Sequence, residues 1–234
     1  MAVINLVFCA TTYMQVWAPA VESWLRACTI GDRYLRDSGG GKICGAGLTQ
    51  RQYVHSADNQ LVRDFLADET ATHMLHVEAD MILPDNTIEL LLQVSQPIVS
   101  AVYFLRNGNG QPCLYKRSVA LKGNPYGQSP VSLFPTDRPF QLNGCPGLGC
   151  LLIARQVFER MPPPWFQLKD GEGGYGSDMY FFKHARDAGF PVWVQPAVAC
   201  GQIDYQVVGM EDYQHRLETD PSFAGSGFII GTAQ

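Results

Sequence analysis

The sequence predicts an α/β domain on a mostly parallel central sheet with helices on both faces, and three observations carry that expectation. Short β-branched or apolar runs alternate with amphipathic stretches over the first hundred residues, the pattern of repeated strand–helix units. Hydrophobic residues make up 46% of a 234-residue chain, enough to bury one substantial core. No internal repeat, low-complexity tract or obvious linker divides the chain, so residues 1–105 and 106–234 read as two halves of one domain.

The elements follow in order. Met1 to Phe8 is an apolar run without a basic leader, too short for a signal sequence or a membrane span, and it reads as a first buried strand. Val16, Ala20, Trp24, Leu25 and Cys28 recur at helical spacing, with Pro19 tolerated near the helix start. A Gly-rich stretch, Gly39 to Gly41 and Gly45 to Gly47, leads to a second helix, whose face comprises Val54, Ala57, Asn59, Leu61, Val62, Phe65 and Leu66. His73 to Glu78 reads as a strand, Pro84 and Asp85 as the start of a helix through Leu92 with Asp85 as its cap, and Ile98 to Phe104 as another strand. From Arg106 to Gly144, Gly, Pro and Asn break the pattern into an irregular hairpin-rich insertion. Leu148–Ala154 is again a strand, Arg155–Met161 a short helix stopped by three prolines, Ser177–Ala188 a helix closed by Gly189, and Val192–Val194 a strand.

Charge and cysteine usage narrow the function. A net charge of -5 is unlike the basic footprint of a protein that condenses on phosphate backbones, which tilts against a nucleic-acid substrate. The seven cysteines are scattered and never spaced C-x-x-C, so neither a disulfide framework nor a zinc cage is indicated, and reduced thiols in a cytoplasm are the expectation.

The most informative segment is Leu75-His76-Val77-Glu78-Ala79-Asp80-Met81-Ile82-Leu83-Pro84. Residues two apart on an extended chain project to the same side, so Glu78 and Asp80 can meet one hard cation that keeps positions open for phosphate oxygens. The plainer reading is a solvated turn and helix cap. Three other matches fail on context. Gly171-Glu172-Gly173-Gly174-Tyr175-Gly176 follows no strand, Ser38-Gly39-Gly40-Gly41-Lys42-Ile43 lacks the first P-loop glycine, and His76-Val77-Glu78 lacks the deaminase P-C-x-x-C, which leaves His76 as a packed strand residue.

Together with the acidic strand end, two further blocks in the same order resemble the GT-A glycosyltransferases, in particular the short family 2-like proteins of bacteria and their phages. The strand end is similar to the family's D-x-D, with Glu78 for its first Asp. Gly147-Leu148-Gly149-Cys150-Leu151-Leu152-Ile153 is similar to its G-x-G-x-x-L-I strand, and Gly176-Ser177-Asp178-Met179-Tyr180-Phe181 to its G-E-D-x-x-F segment. The resemblance implies a metal-dependent transferase, with residues 1–105 binding a UDP-type nucleotide-sugar donor and residues 106–234 facing the acceptor. It implies Mn2+ or Mg2+ at Glu78 and Asp80, Thr11, Thr12 and Asn59 about the donor, Gly147 and Gly149 beside the acceptor, and Asp178 as the base of an inverting transfer.

Beside those roles stand local ones: turn chemistry for the threonines, a solvated helix face for Asn59 and a macrodipole contact for Asp178. Where many relatives carry a metal-binding His this chain has Gln202, so either Gln202 supplies an amide oxygen or Asp204 or His215 is recruited. Trp165, Phe166 and Tyr175 offer stacking surfaces for a sugar or base, with glycines around Tyr175 permitting a lid, or else hydrophobic cover for the sheet. The acceptor stays open among a glycan, a protein, a lipid-linked precursor and a hydroxymethylated base of phage DNA. A sugar-nucleotide or glycan-binding protein that has lost turnover, and a nucleotidyltransferase, are the rival classes.

Overall fold

The computed structural model describes residues 3–13, 15–106, 110–117, 128–171, 174–204 and 207–224. In chain order the elements are β1 (Asn5–Thr11), α1 (Ala18–Gly39), β2 (Lys42–Thr49), α2 (Val54–Ala67), β3 (His73–Glu78), β4 (Met81–Ile82), α3 (Thr87–Gln93) and β5 (Ile98–Val102). The insertion holds β6 (Tyr115–Arg117), β7 (Gln128–Pro130), β8 (Phe140–Gln141) and β9 (Gly144–Cys145). The rest comprises β10 (Cys150–Ala154), α4 (Arg155–Arg160), α5 (Ser177–Asp187), β11 (Trp193–Ala199), β12 (Gly201–Ile203), β13 (Val207–Val208), α6 (Met210–Thr219) and α7 (Pro221–Ala224).

The central sheet has seven strands in the order β2-β1-β3-β10-β5-β11-β8. β1 pairs in parallel with β2 and β3, and β5 with β11, while β10 and β8 run antiparallel to their neighbours. The architecture is thus the expected α/β sandwich with a mostly parallel sheet, and that sheet takes strands from both sides of residue 105.

Alternation along β1 shows how the layers assemble. Leu6, Phe8 and Ala10 face one core with Trp24, Leu35, Ile88 and Leu91 of α1 and α3. Val7 and Cys9 face the other, with Leu61, Val62 and Phe65 of α2, Phe158 of α4 and Phe181, Phe182 and Ala185 of α5. A third cluster, including Phe104, Leu114, Phe134, Phe140, Tyr213 and Phe223, packs the insertion against α6 and α7.

Two sequence expectations change. β2 occupies part of the glycine-rich stretch, where no strand is expected; it is an edge strand, and a Cβ at Gly47 would come within 2.9 Å of Leu61 Cδ2, so a glycine lets α2 lie close. Asp85 does not cap α3: Asn86 holds the cap position without a side-chain bond, and Asp85 takes Arg26 Nε at 3.1 Å instead. Three-stranded sheets β7-β6-β9 and β13-β12-β4 flank the carboxyl end of the main sheet.

Candidate functional site

Thr11 ends β1 and Glu78 ends β3, and the register pairs them directly. Because Val7 and Cys9 face α2, Thr11 lies on that same side, as do Met74 and His76 leading to Glu78. The chain then turns through Ala79 and Asp80 into β4. α1 fixes this turn from beneath: Trp24 Nε1 donates to the Met81 carbonyl at 2.8 Å, and the Leu83 amide donates to Ser23 Oγ at 3.0 Å. β12 fixes it from the side, with the Ile203 amide donating to the Asp80 carbonyl at 2.8 Å.

The result is a cleft of about 300 Å3 at the carboxyl ends of β1 and β3, where open α/β sheets bind ligands. Thr11, Thr12, Glu78 and Asp80 line it, together with Tyr13, Gln52, Val54, Ala57 and Arg106. Thr12 is also a turn residue, since its Oγ1 donates to the Gln15 carbonyl at 2.8 Å.

Asp80 Oδ2 accepts from Gln202 Nε2 at 3.1 Å and from Arg106 Nη1 at 3.3 Å. Gln202 Oε1 is buried without a hydrogen-bond partner beside this carboxylate. Burial foremost, and then the charge of Asp80, raises the Glu78 carboxyl to about 7; the charges of Asp58 and Asp178 add to the rise and His76 opposes it. Four acids therefore share one neighbourhood. His76 is indeed a packed residue: its Nε2 lies 2.9 Å from Asp58 Oδ1 and its Nδ1 3.0 Å from the Leu148 carbonyl, both groups being buried.

Asp178 stands at the start of α5 and is half-buried. Its Oδ1 accepts the Met179 amide at 2.7 Å, and its Oδ2 lies 3.6 Å from the Cys145 thiol. Burial raises its carboxyl above the ordinary range while those two donors pull it down. A floor of Tyr103, Cys113, Tyr115 and Cys145 lies beside these acids, each held strongly protonated by burial; Tyr103 and Cys113 feel the charges of both Glu78 and Asp178, Tyr115 and Cys145 that of Asp178. The glycine pair serves this floor. Gly147 has φ +69°, and a Cβ there would sit 2.0 Å from Tyr103 Oη, while one on Gly149 would sit 2.7 Å from the same ring. The Gly149 carbonyl also accepts the Glu78 amide at 3.0 Å.

Several candidates have local work instead. Asn59 does not line the cleft: its Nδ2 donates to the carbonyls of His55 and Phe166, and its Oδ1 accepts the amides of Trp165 and Phe166. It is a buried clamp, not a solvated face. Trp165 is no stacking platform, since it is buried with Nε1 bonded to the carbonyls of Phe158 and Met161, and Phe166 stacks on Phe181 at 4.8 Å inside the core. These two aromatics are cover for the sheet. Tyr175 stacks on Tyr180 at 5.7 Å and its backbone bridges Lys169; the neighbouring Glu172 and Gly173 of the expected lid lie outside the described residues. His215 is on an exposed face of α6, and neither it nor Asp204 lines the cleft.

Among the described residues, no group of three His, Cys, Asp or Glu side chains is placed to hold a metal by itself. Nor is any helix there long and apolar enough to cross a membrane. Replacing Asn59 with alanine orphans two buried amides, at roughly 1–3 kcal/mol each. Urea unfolding of Asn59→Ala is therefore expected to show that loss, with nucleotide affinity unchanged; weakened nucleotide binding at unchanged stability would return Asn59 to the ligand.

No protein-family model matches the sequence, and no curated protein matches it. In fold, the chain is similar to A197 from STIV, whose crystal structure it matches over 99% of this chain and 96% of that one, with a TM-score of 0.59 and 14% identity. It is also similar to GalNAc-T7, crystallised with UDP, GalNAc and Mn2+, over 92% of this chain with a TM-score of 0.54 and 11% identity. The chain spans about half of that structure, 48% of its length. At these identities the likeness is one of architecture, and the architecture is of the GT-A type.

Proposed function

We propose that the chain is a glycosyltransferase that uses a nucleotide-sugar donor. The observation that carries this reading is the single cleft in which Thr11, Thr12, Glu78, Asp80 and Arg106 meet at two parallel strand ends, with Asp178 near enough for its charge to be felt at Glu78. The cleft takes the donor's nucleoside diphosphate, of UDP type, and Arg106 faces its phosphates. The acceptor hydroxyl lies against Asp178, which takes its proton as the oxygen attacks the anomeric carbon; the bond to the diphosphate breaks and the configuration inverts. Burial raises the Asp178 carboxyl above its ordinary value, which makes it a stronger base than a solvated aspartate.

Two carboxylates, with Gln202 Oε1 lacking a partner beside them, fit a manganese or magnesium ion whose remaining ligands are donor phosphates. Such an ion stabilises charge on the departing diphosphate. Gln202 also positions Asp80 through its amide nitrogen. A second reading rests on Arg106, which already places a cation on Asp80 and serves a diphosphate without metal.

The test is release of nucleoside diphosphate from a panel of sugar nucleotides, with manganese and with a chelator. Release with manganese alone supports the metal-assisted transferase, and equal release with chelator supports the Arg106 reading. Pyrophosphate release from a nucleoside triphosphate supplied with a sugar phosphate would identify a nucleotidyltransferase, and binding of sugar nucleotides without turnover a sugar-nucleotide binding protein.

A further inference from the structure

Beyond Asp178, away from the cleft, lies a pair of cations that donor binding leaves unused. The two-residue strand β9 connects them to the base: Cys145 meets Asp178, and the preceding Gly144 carbonyl accepts from Arg186 Nη1. Arg186 lies eight residues beyond Asp178 on α5, roughly 12 Å at the rise of an α-helix. β6 pairs with β9, Lys116 opposite Gly144, and the Arg117 amide donates to the Asn143 carbonyl at 2.9 Å.

Side chains alternate along β6, so Arg117 shares a face with Tyr115. Tyr115 stands directly opposite Cys145 in the ladder, and the Cys145 thiol meets Asp178, so that face is the one turned to α5. Arg117 in turn contributes, after burial, to holding the Arg186 guanidinium below its ordinary value. Arg186 is half-buried and Arg117 exposed. Among the described residues neither forms an ion pair with a carboxylate, whereas Lys183 on the same helix is paired with Asp187. Asp187 acts on Arg186 more strongly than Arg117 does, but its carboxylate is already held by Lys183. Two neighbouring guanidiniums outside any ion pair present forked donors to an oxyanion, and phosphate matches that fork.

We propose that Arg117 and Arg186 form an anion subsite that receives a phosphate group of the acceptor, at the far end from the hydroxyl presented to Asp178. The assignment of an acceptor to this subsite rests on the transferase reading; the anion site itself does not. It defines the acceptor class as phosphorylated, either a soluble sugar phosphate or a lipid phosphate headgroup.

The experiment is binding of inorganic phosphate to the full chain, followed by 31P NMR line broadening, in wild type, Arg117→Ala, Arg186→Ala and Arg106→Ala. Arg117 is exposed, so its alanine variant keeps the fold even if Arg186→Ala does not. Affinity is expected to fall about tenfold in Arg117→Ala and at least as far in Arg186→Ala, with a phosphate site retained in Arg106→Ala. Wild-type protein that takes up no phosphate, or phosphate binding lost in Arg106→Ala and kept in Arg117→Ala, overturns the proposal. Displacement of phosphate by a soluble sugar phosphate assigns a soluble acceptor, displacement only by vesicles containing phosphatidic acid assigns a lipid one, and displacement by neither also overturns it. Donor turnover is read separately, so an inactive protein with this site intact refutes the transferase reading and not the anion site.

Discussion

Asp178→Asn is expected to lower nucleoside diphosphate release by about 10²–10⁴-fold while leaving UDP affinity within about twofold and the fold intact. The substitution is isosteric. An amide oxygen still accepts the Met179 amide, as Asp178 Oδ1 does at 2.7 Å. What disappears is the capacity to take a proton, together with a negative charge that burial already makes costly to hold. Stability is therefore expected to be unchanged or slightly higher, and the loss to fall on kcat. A merely structural role, as a helix N-terminal acid on α5, predicts the reverse: lower stability and little change in turnover. Turnover within tenfold of wild type would remove Asp178 from the role of base. Steady-state rates and calorimetric UDP binding, taken on the same preparations, separate these outcomes.

The parts of this site that were legible from sequence are those written in local spacing. Glu78 and Asp80 stand two apart at the end of an apolar strand, and Thr11 and Thr12 follow the first strand directly, so strand geometry alone places them on one rim. The long helices and the core strands β1, β3, β5 and β10 announce themselves by period. β2 does not, because Gly45 and Gly47 remove the alternating side chains that mark a strand, and Gly47 does so where α2 packs close. Strands of two or three residues, such as β8 and β9, are shorter than any period that reveals a strand.

Arg106 was invisible as a site residue because its partner is 26 positions away and the approach depends on how the insertion leaves β5. Asp58 and His76 form a buried pair from α2 and β3, and nothing local to either tells a buried charge from a solvated one. Asn59 shows the converse error. The family resemblance of its helix implied a donor contact, and its own setting a solvated face, but the unmet need lay in the chain itself, in the amides of Trp165 and Phe166 more than a hundred residues on. Trp165 and Phe166 likewise follow three prolines in a segment that reads as a loop, yet they fill the core between α4 and α5.

Glu78→Gln is expected to stabilise the chelator-treated protein at pH 8 while impairing turnover, a combination that only a functional charge produces. In the folded state the Glu78 carboxyl is raised from 4.5 to about 7, first by burial and then by the charge of Asp80, with Asp58 and Asp178 adding to it. The unfolded chain gives up this proton near 4.5, and the folded chain keeps it until about 7. The associated stability is thus present in full below 4.5 and is lost as pH rises through 7, a loss of about 3.5 kcal/mol at most if one pKa unit is worth about 1.4. Glutamine keeps the shape and has no proton to lose, so the variant and wild type should unfold alike at pH 4 and diverge up to pH 8, by up to about 7–14 °C in Tm. Added manganese should close the gap from the wild-type side, because a divalent cation offsets the crowded carboxylates at Glu78 and Asp80 and has less to bind in the variant. A variant less stable than wild type at pH 8, or a difference that does not shrink toward pH 4, would show that Glu78 is not held as a costly anion. The reading of the cleft as a cation and diphosphate site would then lose its electrostatic basis.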